Sequence, residues 1–69
     1  MLVDYRGRNL RIGERVRIEE DIPSENGMLY KHTIVKLDEF NDTNKKIRVT
    51  DSLGKVWWVE PTQVSASFL

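Results

Sequence analysis

Hydrophobic and polar residues alternate along this chain over short stretches, and turn-forming residues interrupt them. In "RIGERVRIEE", Val16 and Ile18 fall on one face and Arg15, Arg17 and Glu19 on the other, the period-two signature of a half-buried strand. Gly13 lets the chain turn sharply into it. "DIPSENGM" gathers proline, serine, asparagine and glycine, so residues 21–28 read as a loop. The β-branched Thr33, Ile34 and Val35 of "YKHTIVKLDEF" favour a strand. "NDTN" at 41–44 reads as a turn, and "KKIRVTD" alternates again with Ile47 and Val49 inward. "DSLG" at 51–54 makes a second tight turn into "KVWWV". In "EPTQ", Pro61 presets a helical φ and lacks a donor that a first turn would not use, which suits one 3₁₀ turn near residues 60–63. "VSASFL" can then close the fold as a strand.

Short strands between turn signals predict an all-β chain folded as a small barrel or sandwich. Residues 1–10 form an N-terminal extension or short hairpin ahead of it. With 69 residues the chain has room for one domain, and one of this size buries only about 60% of its unfolded surface. Disulfides are excluded by the absence of cysteine, and His32 is the only histidine. A secretion leader would need an uninterrupted apolar run where "MLVDYRGRNL" has an aspartate and arginines. Apolar runs elsewhere fall far short of the roughly 20 residues that cross a bilayer. A soluble, cytoplasmic protein is expected.

The adjacent tryptophans of "KVWWV" pose the functional question. Strand residues alternate between faces, so Trp57 shares the inward face of Val59 while Val56 and Trp58 take the other. Trp58 either packs flat against a neighbouring loop or anchors a partner, as tryptophan does at interfaces. Tyr5, Tyr30, Phe40 and Phe68 either extend such a surface or fill the core. Phe68 is either a lid on the end of the fold or frayed.

Charge is balanced in sum but not along the chain. Residues 1–18 carry Arg6, Arg8, Arg11, Arg15 and Arg17 against Asp4 and Glu14, and residues 19–42 carry seven acids against Lys31 and Lys36. A neutral total argues against holding nucleic acid by bulk charge. Arg15, Arg17 and Arg48 lie outward, and with Trp58 they could stack bases and hold phosphates. Equally, they could pair with Glu19, Asp38 or Glu60. Catalysis finds no support: His32 has no cysteine to activate, "DSLG" is a turn, and no phosphate-binding glycine loop appears. No enzyme activity, metal or cofactor is expected.

The order "IGERVRI", a long polar loop, a strand, a turn and "KKIRVTDSLGKVWWVEPTQV" resembles SH3-like small barrels, including KOW-type and bacterial and phage accessory modules. It is also similar to small SH3-like proteins of Bacillus prophages. The resemblance implies a single five-stranded, mostly antiparallel SH3-like barrel over residues 11–69, and a non-enzymatic protein-interaction module of phage or prophage accessory type, acting in the host cytoplasm. Eukaryotic SH3 domains resemble "ALYDY" near the start and carry a tryptophan pair earlier. Here "LVDYRG" echoes the first faintly and Trp57 and Trp58 come late, so binding of proline-rich peptides is not carried over. The expected partner surface is Trp58, Tyr30 and the acidic loop with Glu20 and Asp21. The alternatives are a nucleic-acid-binding barrel using Arg15, Arg17, Arg48 and Trp58, and a homodimer that buries the exposed aromatic; the chain is otherwise a monomer.

Overall fold

A computed structural model describes residues 2–25 and 27–66. The chain is all-β. Its strands are β1 (Arg15–Ile18), β2 (Ile22–Ser24), β3 (Gly27–Leu29), β4 (Ile34–Asn41), β5 (Lys46–Thr50), β6 (Val56–Val59) and β7 (Val64–Ser65). Five form one antiparallel sheet in the order β6-β5-β4-β1-β7, and β2 and β3 form a separate hairpin. Among the described residues no pairing joins β6 to β7, so the sheet is open and these two strands are its edges. Among the described residues no helix is long and apolar enough to cross a membrane.

Register explains the core. Val16 stands opposite Val35, Ile18 opposite Val64, Leu37 opposite Val49 and Val49 opposite Trp57. All of these side chains are buried. The sheet therefore buries one face, as the alternation of Val16 with Ile18 and of Ile47 with Val49 requires. A bulge in β4 places one extra residue between Leu37 and Glu39. It shifts the phase of the pleat, so that Glu39 faces outward opposite Arg48 while Phe40, opposite Ile47, packs partly buried against the core.

Within the segment expected as a loop, residues 22–24 and 27–28 are strand instead. Ile22 pairs with Leu29, Pro23 with Met28 and Ser24 with Gly27, and the buried Ile22 and Leu29 add to the core. Arms this short, one of them containing proline, show no alternation until they are paired. The 3₁₀ turn, Pro61–Gln63, falls where the sequence places it; the Glu60 amide donates to Gln63 Oε1 at 2.8 Å. The closing strand is confined to Val64–Ser65 among the described residues, and Phe68 lies outside them.

Residues 2–10 fold back on themselves through a bridge between Val3 and Asn9, and Leu10 reaches the core. The Tyr5 amide donates to the Val64 carbonyl at 2.8 Å. Asp4 ties the two ends of the chain together. Its Oδ1 accepts the amides of Arg6 and Arg8 at 2.9 and 2.8 Å, and its Oδ2 accepts the Ala66 amide at 2.6 Å. Burial pushes this carboxyl up, but those three amides and the Arg8 charge together hold it below its ordinary value.

A carboxyl with a lowered folded-state pKa adds stability above its unfolded pKa and loses it as pH falls through the folded one. Replacing Asp4 with Asn turns one acceptor into a donor facing the Ala66 amide. Asp4→Asn should cost about 1–3 kcal/mol at pH 7. In denaturant melts the gap between wild type and variant should narrow below about pH 4; a gap that stays constant would mean the charge is not what holds the termini.

Candidate functional site

The site begins with the turn between β5 and β6. Asp51 Oδ1 accepts the amides of Leu53 and Lys55 at 2.9 and 3.0 Å, an Asx-type closure that aspartate favours. Gly54, at φ 84°, supplies the left-handed residue the turn needs. Asp51 Oδ2 accepts the indole N–H of Trp57 at 3.2 Å. That bond and then the Lys55 amide, with smaller contributions from the Leu53 amide and the Lys55 charge, hold the carboxyl below its usual range against the opposing effect of desolvation. One side chain thus shapes the turn and satisfies the only polar atom of the core tryptophan side chain.

The register that follows sets Thr50 opposite Val56, Val49 opposite Trp57 and Arg48 opposite Trp58. Trp57 is 6% exposed and Trp58 42%. Lys55 Nζ lies 4.5 Å from the centre of the Trp57 ring, a cation–π contact. Trp58 lies beside the hairpin, in a cleft of about 260 Å³ lined by Ile22, Pro23, Ser24, Glu25, Val56 and Trp57 as well. The buried Ile22 and Trp57 supply apolar surface beneath the exposed Pro23, Val56 and Trp58.

This cleft runs along a free sheet edge. Among the described residues no backbone group of Val56–Val59 bonds anywhere but to β5. Every second residue of an edge strand directs its N–H and C=O outward, where an added strand can pair with them.

The other expected site residues are only partly gathered here. Tyr30, Glu20 and Asp21 are exposed but line no part of the cleft. They stand at the hairpin base, where Asp21 Oδ1 accepts the Lys31 amide at 2.8 Å. Tyr5 and Tyr30 do not fill the core; they are 60% and 65% exposed. Of the three arginines, Arg17 Nε meets Glu19 at 2.7 Å, and Arg48 meets Glu39 at 3.1 Å and Asp38 at 3.7 Å. Asp38 also accepts the Thr50 hydroxyl. Arg15 lies on β1, separated from Trp58 by β4 and β5. The basic strip is thus broken by its own acids.

Pro23, Ser24 and Glu25 belong to the cleft but were hidden in a segment that reads as a loop. Val56, placed by alternation on the face of Trp58, was the legible signal. Compared with protein-family models, curated proteins and solved structures, the chain shows no match.

Trp57→Ala should cost on the order of 3–5 kcal/mol, close to the whole stability of a small domain. Trp58→Ala should stay within about 1 kcal/mol of wild type. Urea melts of both variants check the assignment, and the reverse ranking would place the wrong tryptophan in the core.

Proposed function

We propose that this protein is a non-enzymatic protein-interaction module on an SH3-like barrel, and that its partner lays an extended apolar segment against Trp58 along β6. The barrel reading is supported by the last strand lying beside the first in the sheet. A polar excursion between β1 and β4 and a single 3₁₀ turn between β6 and β7 support it further. The resemblance to phage accessory modules supplies the setting, with a host protein as partner.

One observation carries the functional reading: the exposed Trp58 stands in an apolar cleft at an unpaired strand edge. An extended segment placed there gains main-chain hydrogen bonds from β6, while alternate side chains enter the cleft. A tryptophan anchor in such a place contributes about 2 kcal/mol or more to binding. Glu25 at the cleft and Glu20 and Asp21 at the base of the hairpin favour a partner with basic residues flanking its apolar ones. A nucleic-acid reading has less support, because Arg17 and Arg48 are already engaged by acids.

The test is a pull-down from host lysate with and without nuclease, using wild-type and folded Trp58→Ala baits. A nuclease-resistant protein retained by wild type and lost from Trp58→Ala is the expected result. Recovery that nuclease abolishes would transfer the function to nucleic acid. A dimer in solution with no retained protein would mean that Trp58 covers a second copy of the chain.

A further inference from the structure

Two cations on the outer face of the sheet stand opposite each other with no acid assigned to either. Arg15 of β1 is in register with Lys36 of β4, an arrangement in which like charges are destabilising. The neighbouring outward arginines are treated differently: Arg17 has Glu19, and Arg48 has Glu39 and Asp38. Among the described residues neither the Arg15 nor the Lys36 side chain makes an ion pair or hydrogen bond.

Both side chains border a cleft of about 370 Å³ completed by Ile34, Val35, Thr50, Asp51 and Ser52. Asp51 brings a negative charge, but its oxygens are turned to the Leu53 and Lys55 amides and the Trp57 indole. The Thr50 hydroxyl is given to Asp38. The residues bordering the cleft thus bring a guanidinium, an ammonium, the Ser52 hydroxyl and the exposed Ile34, against the single charge of Asp51.

We propose that this cleft binds a phosphate monoester carried on a small apolar or planar body. A monoester bears a charge of about −1.5 to −2 at neutral pH and so draws on the two cations, against the one charge of Asp51, more strongly than a singly charged diester. The Arg15 fork can hold two phosphate oxygens at once, Lys36 neutralises a third, and Ile34 contacts the body. Binding would relieve the repulsion that the unliganded register imposes. The site uses no residue of the Trp58 cleft and stands independently of the interaction reading.

The test is a titration of the isotopically labelled full chain, at constant ionic strength, with phenyl phosphate, inorganic phosphate and dimethyl phosphate, followed by amide chemical shifts. Saturable shifts at residues 15, 36 and 52 are expected. Phenyl phosphate should bind more tightly than inorganic phosphate, and about tenfold more tightly than dimethyl phosphate. Arg15→Gln and Lys36→Gln should each weaken phenyl phosphate by about fivefold or more. Lys36→Glu should raise the thermal midpoint without ligand and abolish the shifts. Linear shifts, or shifts unchanged by these substitutions, would overturn the proposal. A lower midpoint for Lys36→Glu would overturn its premise of repulsion. Dimethyl phosphate binding as tightly as phenyl phosphate would replace it with a nucleic-acid backbone site.

Discussion

The hydrogen-bonded register between β5 and β6 is the constraint on which the rest depends. Because a strand alternates its side chains, shifting this pairing by one residue would exchange Trp57 for Trp58 in the core. The turn that precedes β6 removes that freedom. Asp51 closes it through two amides and receives the Trp57 indole, so the residue that ends one strand also selects the side chain that fills the interior. The indole N–H would otherwise be a partly buried donor without a protein partner, which is costly.

An open sheet with one buried face needs covers, and the chain provides two from segments outside the sheet. The β2–β3 hairpin contributes Ile22 and Leu29, and the N-terminal fold-back contributes Leu10. Each is held by polar bonds at its base: the hairpin through Asp21 and the Lys31 amide, the fold-back through Asp4 and Ala66. Among the described residues neither cover pairs along the edge of β6. The same incompleteness that makes a small core thin leaves a strand edge and a tryptophan face for something else.

Charge on the outer face follows a different logic. Exposed ion pairs such as Arg48 with Glu39 contribute on the order of 0–1 kcal/mol. Their larger effect is to remove Arg17 and Arg48 from the set of cations a ligand can use. What remains, Arg15 beside Lys36, is smaller than the basic strip the sequence suggested and lies in a different row of the sheet.

Local pattern alone determined the five strands of the sheet, the turns at 41–44 and 51–54, the 3₁₀ turn and the opposite faces of Trp57 and Trp58. Each follows from period-two alternation or from the backbone preferences of glycine, proline and aspartate, which act over a few residues. Tertiary structure decided what depends on partners distant in sequence. The β2–β3 hairpin is visible only once Ile22 meets Leu29. The bulge that turns Phe40 inward is set by pairing with β5. Asp4 finds its purpose 62 residues away at Ala66. The cleft beside Trp58 and the opposition of Arg15 and Lys36 belong to the same class, because alternation gives each residue a face, and only strand pairing gives it a neighbour.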